Sequence, residues 1–141
     1  KTETIDLPLE CGCAEEDLQR MTQSTDILQS SWAKKVLKDN APTVQQCHLT
    51  LVRLGHDCPM FFVNAELVQS FARFARALHP SCLTICYTNG MIGYLCGEEE
   101  IRQGGYEPLD SSLWFALRGP YNLNTHFLLE GAMERLLQGE K

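Results

Sequence analysis

The stretch CPMFFVNAELVQSFARFARALHPSCLTICY, residues 58–87, decides the fold class. Apolar runs at 58–63 and 82–87 are rich in residue types that favour strands. Between them, apolar residues recur at steps of three and four over 65–79, which predicts a helix. The stretch therefore predicts a strand–helix–strand unit, and Asn64 is expected to cap its helix.

Two further strands are expected to join this unit. Residues 3–9, ETIDLPL, can form a short edge strand in which Pro8 limits the pairing. From Cys47 onward, apolar and polar residues alternate up to a tight turn at Gly55-His56. The turn leads directly into the strand at 58–63, so these two strands are predicted to form a hairpin.

Two further helices are predicted, one on each side of this region. Acidic residues at 15–17 open a long amphipathic pattern that continues to Val36 and stops before Pro42. A last helix is predicted over 123–137 and is closed by Gly139. The order of elements predicts a single α/β domain over residues 1–141, with one mixed sheet and helices packed on it.

The composition is that of an ordinary globular domain. The chain has 141 residues, of which 44% are hydrophobic and 21% are charged, and this length suits one domain. The net charge of −6 argues against a nucleic-acid partner, which would require a basic face. No apolar run approaches the roughly 20 residues of a membrane span, so no transmembrane segment is expected.

Two polar residues follow the ends of the predicted strands. Glu66 comes after the strand at 58–63, and Tyr94 lies in the glycine-rich loop after the strand at 82–87. If these strands are parallel, a right-handed crossover places both carboxyl ends at one sheet edge, where ligands collect. We therefore expect Glu66 and Tyr94 to lie close together. Each also has a structural alternative, because Glu66 could serve the helix dipole and Tyr94 could be a half-buried, hydrogen-bonded aromatic.

The loop TNGMIGYLCGEEEIRQGGYE, residues 88–107, resembles the closing loop of the neutral/alkaline (non-lysosomal) ceramidases. These are zinc amidohydrolases that split ceramide into sphingosine and a fatty acid. In that family an Asn-containing turn leads to an aromatic-x-Tyr stretch, a Glu-rich turn, Tyr-Glu and then Gly-Pro before a helix. This chain has the corresponding residues in the same order: Asn89, Tyr94, Glu98 to Glu100, Tyr106-Glu107 and Gly119-Pro120.

An upstream segment extends the resemblance. The segment FFVNAELVQSFARFAR, residues 61–76, looks like the family's strand followed by Pro-Gly-Glu and a helix. It has Asn64-Ala65 in place of Pro-Gly but keeps Glu66. The resemblance covers mainly residues 43–137.

The resemblance implies roles for three residues. Glu66 and Tyr94 would be ligands of the catalytic zinc, and Tyr106 would lie beside the scissile amide of a lipid-like N-acyl substrate. In the family, two histidine ligands and a catalytic serine lie in a larger N-terminal region that nothing in this chain matches. Residues 1–141 are therefore expected to be the C-terminal portion of a larger catalytic domain. The rest of that domain would be their partner, zinc would bind only in the intact protein, and the chain alone would be inactive.

Two other classes of function remain open. The same fold could be a non-catalytic regulatory or assembly module in which Glu66 is structural. It could also be a thiol-dependent enzyme in which Cys86 or Cys96 acts with His126. Seven cysteines without a C-x-x-C pair, and the absence of a signal peptide, favour reduced thiols and a cytoplasmic location. The resembled family is often secreted or membrane-associated, so the compartment stays open.

Overall fold

A four-stranded sheet forms the centre of the fold in the computed structural model, which describes residues 1–10, 13–55 and 57–139. The strands, in chain order, are β1 (Thr2–Pro8), β2 (Val44–Leu54), β3 (Cys58–Val63), β4 (Glu66–Leu67), β5 (Leu83–Ile85) and β6 (Tyr94–Leu95). The sheet has the order β1–β2–β3–β5; its first two pairings are antiparallel and the pairing of β3 with β5 is parallel. Strands β4 and β6 form a separate parallel pair.

The helices pack on this sheet and beside it. They are α1 (Glu15–Met21), α2 (Ile27–Lys38), α3 (Gln69–Leu78), α4 (Glu98–Gln103), α5 (Ser111–Trp114) and α6 (Asn124–Gln138), and a π-helical turn over Tyr106–Asp110 precedes α5. The predicted α/β class, a mixed sheet with helices packed on it, is confirmed. The structure adds the short β4–β6 pair, which the sequence analysis did not predict.

The main core lies between the sheet and helices α3 and α6. Its largest fully buried side chains include Phe61 of β3, Phe71 of α3 and Leu129 of α6. Burying a side chain of this size stabilises a fold by about 1.5–3 kcal/mol relative to leaving it exposed. The hydrophobic face of each helix is therefore what fixes α3 and α6 against the strands.

The predicted hairpin and parallel crossover are both present. Strands β2 and β3 pair antiparallel, and Gly55, which begins the turn between them, has a φ of 65° that suits glycine. The other predicted turn residue, His56, lies outside the described residues. Strands β3 and β5 are parallel, with Phe61 opposite Thr84, so the strand–helix–strand unit brings both carboxyl ends to one edge.

The single long helix predicted from residues 15–17 to Val36 is wrong. The chain forms two helices there, and Asp26 begins the second one by accepting hydrogen bonds from the backbone N–H groups of Leu28 and Gln29. An aspartate within an amphipathic pattern can start a new helix because its carboxylate satisfies backbone donors that otherwise lack a partner. The two helices enclose a smaller core around Leu18 and Trp32.

The predicted N-cap role of Asn64 is also wrong. Asn64 is buried, and its side chain bridges to β2 by accepting from the backbone N–H of His48 at 2.8 Å and donating to the carbonyl of Gln46 at 3.1 Å. Helix α3 begins only at Gln69, after the cap residue Val68. The chain stays extended after β3 because β4 pairs with β6, which uses the backbone groups that an earlier helix start would need.

We predict that Asn64→Ala lowers the free energy of unfolding by about 2–4 kcal/mol. The substitution leaves two backbone groups of β2 without a side-chain partner inside the fold, and each such loss costs about 1–3 kcal/mol. Chemical denaturation of the purified chain measures the change. The matched control is Asn124→Ala, because Asn124 is exposed and its loss should change stability by less than about 0.5 kcal/mol. Equal effects of the two substitutions would show that the bridge to β2 is not a stabilising contact.

Candidate functional site

The candidate site lies just beyond the carboxyl ends of β3 and β5. Glu66 and Tyr94 are directly opposite each other in the parallel β4–β6 pair. The backbone N–H of Glu66 donates to the carbonyl of Gly93 at 3.0 Å, and that of Val68 donates to Leu95 at 3.1 Å. The expected proximity of Glu66 and Tyr94 is therefore confirmed, and the cause is strand pairing.

The helix-dipole alternative for Glu66 does not hold. Glu66 is part of strand β4 and precedes the first residue of α3, Gln69, by three positions, so its carboxylate is not in the first turn of that helix. The alternative for Tyr94 describes part of what is seen, because the side chain is half-buried.

The Glu66 carboxylate lies between two tyrosine hydroxyls. Tyr87 donates a hydrogen bond to Oε2 of Glu66. This hydrogen bond, with smaller effects of burial and of nearby negative charge, raises the pKa of Tyr87 to about 12. A hydrogen bond to the same carboxylate is also the largest cause that raises the pKa of Tyr94. Both phenols would be protonated at neutral pH without these shifts, and the raised pKa values make loss of either proton harder still.

Tyr106 completes the group on its exposed side. Its ring centroid lies 5.9 Å from that of Tyr94 with an interplanar angle of 72°, an edge-to-face contact. Tyr106 begins the π-helical turn directly after Gly104 and Gly105, which have φ angles of 72° and 105°. Its side chain is 51% exposed, so it faces the outside of the group. The structure therefore brings together all three residues that the resemblance selected.

Tyr87, whose hydroxyl contacts Glu66, was not predicted from the sequence to be part of the site. Tyr87 has a left-handed backbone with a φ of 59°, which is uncommon for a residue with a large side chain. Two backbone hydrogen bonds hold this turn, from Tyr87 N–H to Ala65 at 3.1 Å and from Thr88 N–H to Val63 at 2.9 Å. The position of Tyr87, at the end of a predicted strand and just before the Asn89-Gly90 turn, could have indicated that it joins the site.

The buried side chain of Tyr121 fixes another part of the glycine-rich loop. The hydroxyl of Tyr121, which is buried, donates to the carbonyl of Ile92 at 2.7 Å. Gly93 has a φ of 119°, and a Cβ atom there would lie 3.5 Å from the side chains of both Leu117 and Tyr121. The loop conformation that places Tyr94 opposite Glu66 therefore depends on glycine at position 93.

By themselves, Glu66 and Tyr94 are too few residues to form a complete zinc site. Zinc takes about three or four protein ligands in proteins, and Glu66 and Tyr94 offer one carboxylate and one phenol. No group of three His, Cys, Asp or Glu side chains placed to hold a metal ion occurs within the described ranges. The phenol of Tyr94 would also have to lose its proton before it could act as a ligand. Glu66 and Tyr94 could fill two ligand positions, and a zinc site here would need its other ligands from further residues.

The thiol hypothesis does not hold for Cys96. This side chain is buried, and desolvation, followed by the nearby charges of Glu107 and Glu100, raises the pKa of its thiol to about 12. A nucleophilic cysteine requires the opposite shift, because the thiolate is the reactive form. For Cys86 the structure shows that the sulfur accepts a hydrogen bond from the backbone N–H of Leu67 at 3.3 Å.

Comparison with known proteins found no matching family model, no matching curated protein and no matching solved structure. In the part of the chain that the structure describes, no helix has the length and apolar character needed to cross a membrane.

We predict that Glu66→Gln lowers the pKa of both Tyr87 and Tyr94 toward the ordinary value of about 10. The wild-type carboxylate stabilises the protonated phenols and repels the phenolates, so removing its charge makes deprotonation easier. Ultraviolet absorbance of tyrosinate during an alkaline titration of the folded chain measures the change.

The control for this titration is Glu99→Gln. Glu99 is an exposed glutamate that is hydrogen-bonded to Gln103, so its substitution removes the same charge away from the two phenols. We expect its tyrosine titration to match that of the wild type. A Glu66→Gln curve that also matches the wild type would mean that the tyrosines do not contact this carboxylate in solution.

Proposed function

We propose that this chain forms one wall of the active site of a zinc-dependent amide hydrolase that resembles the neutral ceramidases. The observation that carries the proposal is the placement of Glu66 directly opposite Tyr94, with Tyr106 against the outer edge of Tyr94. The three residues are distant in sequence, and the resemblance selected them without reference to the structure. Their convergence on one surface supports a shared role.

The chemistry of amide hydrolysis suits this set of groups. In the proposed site Glu66 and Tyr94 would hold zinc together with ligands from the rest of the catalytic domain. A bound zinc ion supplies a Lewis acid and a water of lowered pKa. Tyr106 has a partly exposed phenol that could donate to the oxyanion that forms when the amide carbonyl is attacked, and such a donor is worth about 3–4 kcal/mol.

The surface beside Tyr106 suits a substrate with an apolar chain. Leu109 and Trp114, in the turn and helix that follow Tyr106, are 44% and 64% exposed. Where such exposed apolar side chains form one patch, they are typical of binding surfaces. This feature supports a lipid-like N-acyl compound as the substrate class.

We predict that Tyr94→Phe and Tyr106→Phe have different effects in the intact protein. Tyr94→Phe should lower both zinc content and amide hydrolysis, because it removes a ligand oxygen while keeping the ring. Tyr106→Phe should leave zinc in place and lower turnover by roughly 10²–10³-fold, as expected for a lost oxyanion donor. Metal analysis and a hydrolysis assay with an N-acylated amine, both on the protein encoded by the complete reading frame, measure the two effects.

The matched control is Tyr121→Phe, which removes a hydroxyl that serves only the loop. It should reduce stability by about 1 kcal/mol through the lost bond to Ile92 and leave zinc content unchanged. If Tyr106→Phe loses zinc and Tyr94→Phe keeps it, the two tyrosines have the opposite roles. If both variants keep full zinc and full turnover, the loop is not part of the metal site. The second candidate, a non-catalytic module in which Glu66 is structural, would then be favoured.

We also predict that the 141-residue chain alone neither hydrolyses amides nor holds zinc tightly. Two oxygen ligands are too few for a stable site, since zinc sites need about three or four. Equilibrium dialysis against zinc, followed by metal analysis, measures binding. Stoichiometric zinc that is lost in Glu66→Gln would show that this chain supplies a complete site and would contradict the proposal that other ligands are needed.

A further inference from the structure

The helices of the described chain cover one face of the four-stranded sheet and leave the other exposed. Helices α3 and α6 pack on the face that carries Cys47, Leu49 and Leu51 of β2. The residues that alternate with these along β2 point to the opposite side, which we call the open face. Its side chains are Thr2, Thr4, Asp6 and Pro8 of β1, Val44, Gln46, His48, Thr50, Val52 and Leu54 of β2, Cys58, Met60 and Phe62 of β3, and Leu83 and Ile85 of β5.

The register of the strands joins the apolar side chains of the open face into rows. Val52, Met60 and Leu83 lie opposite one another across β2, β3 and β5, and Phe62 lies opposite Ile85 in the next row. Val52 and Leu83 are 37% and 47% exposed. The half of the open face that β3 and β5 form is therefore apolar and in contact with solvent.

Strand β3 has the sequence of a strand that is covered on both sides. A strand with one solvated face alternates between apolar and polar residues, whereas a strand buried on both faces is a continuous apolar run. The sequence of β3, CPMFFV, is such a run. Phe61 and Val63 contribute to the core beneath the helices, and Met60 and Phe62 belong to the open face. The composition of β3 thus indicates a second layer on the open face.

The open face also has little charge. Among its described side chains, Asp6 of the edge strand is the one carboxylate and none is Lys or Arg, although 21% of the residues in the chain are charged. Charged residues are depleted at the centre of protein interfaces. The open face therefore suits contact with a surface that is itself apolar and uncharged.

The open face leads directly to the candidate site. A cavity of about 450 Å³ on this face is lined by His48, Thr50, Val52, Phe62, Thr88 and Asn89. Thr88 follows Tyr87, whose hydroxyl contacts the Glu66 carboxylate. A layer that covers the open face and fills this cavity would therefore come next to Tyr87, where a zinc site would need further ligands.

The size of the open face argues against a second copy of this chain as its cover. Strands of 3 to 11 residues, at about 3.3 Å per residue and about 4.8 Å between strands, give a face of about 400 Å². Two copies would bury about 800 Å² in total, less than the roughly 1,200–2,000 Å² of stable interfaces between separate proteins. A covalently joined segment needs less area, because its effective concentration is high. The small area favours a layer that belongs to the same chain.

We propose that the rest of the catalytic domain covers the open face with an apolar, uncharged surface and supplies the missing zinc ligands from the edge of that layer beside Tyr87. This placement rests on the proposed function, which requires a larger catalytic domain, and it names the surface where the two parts meet.

The test measures whether the open face is accessible in the complete protein. Val52→Cys places a thiol on this face, and its matched control is Leu128→Cys on α6, because Leu128 is 38% exposed and Val52 is 37% exposed. Each variant is prepared both as the 141-residue chain and as the protein encoded by the complete reading frame, and is then labelled with N-ethylmaleimide. Peptide mass spectrometry gives the labelling rate at each position separately from the native cysteines.

In the complete protein we expect labelling at position 52 to be at least about tenfold slower than in the 141-residue chain, because a covered thiol reacts only when the structure opens locally. Labelling at position 128 should differ by less than about twofold between the two proteins, since a thiol that stays exposed needs no opening. If Val52→Cys is not folded, Leu83→Cys on the same face replaces it with the same expectation.

Two results would overturn the proposal. Equal labelling at position 52 in both proteins would show that the open face stays uncovered in the complete protein. Slow labelling at position 52 in the 141-residue chain, together with the mass of a dimer in light scattering, would show that a second copy covers the face.

Zinc content and amide hydrolysis of the complete wild-type protein test the proposed function separately. An active, zinc-bound protein with equal labelling at position 52 would reject the second layer and keep the proposed function. Slow labelling at position 52 in a complete protein without zinc or hydrolysis would reject the proposed function and the supply of ligands, and would keep the open face as the contact surface.

Discussion

The parallel pairing of β4 with β6 is the interaction on which the candidate site depends. Two backbone hydrogen bonds, from Glu66 to Gly93 and from Val68 to Leu95, hold the chain extended after β3 when a helix could have started. The pairing places Glu66 against Tyr94 at one end. Four paired residues therefore set where Glu66 and Tyr94 meet.

The residues beneath this pair keep it in place. Asn64 ties the chain after β3 to the backbone of β2, and Tyr121 ties the glycine-rich loop at Ile92 to the core. Both side chains are buried and both use polar atoms to satisfy backbone groups inside the protein. Buried hydrogen bonds of this kind specify one arrangement, because any other would leave those groups without partners.

Three tyrosines surround the Glu66 carboxylate in the candidate site. The Glu66 carboxylate accepts a hydrogen bond from the phenol of Tyr87 and raises the pKa of the Tyr94 phenol, and a third tyrosine, Tyr106, packs against Tyr94. Tyr87 keeps a left-handed backbone to reach this position, and strain of that kind is found most often where function requires a particular geometry. In a metal site the same arrangement would serve a second purpose, since a hydrogen-bonded carboxylate is held in a fixed orientation.

The sequence by itself determined the α/β class, the strand–helix–strand unit and the hairpin, because the periodicity of apolar residues reports directly on which faces are buried. It also predicted that Glu66 and Tyr94 lie close together, since parallel strands end at one edge, but the direct pairing of the two residues comes from the unpredicted β4–β6 pair. Other features depend on contacts between residues that are distant in sequence, so only the tertiary structure decided them. Asn64 reads as a helix cap in sequence, but its partners are the backbone atoms of His48 and Gln46 in another strand. Asp26 divides one amphipathic pattern into two helices. The need for glycine at position 97 has no signal in the sequence, because a Cβ atom there would meet Ser70 and Glu100, which only the folded protein brings to the same point.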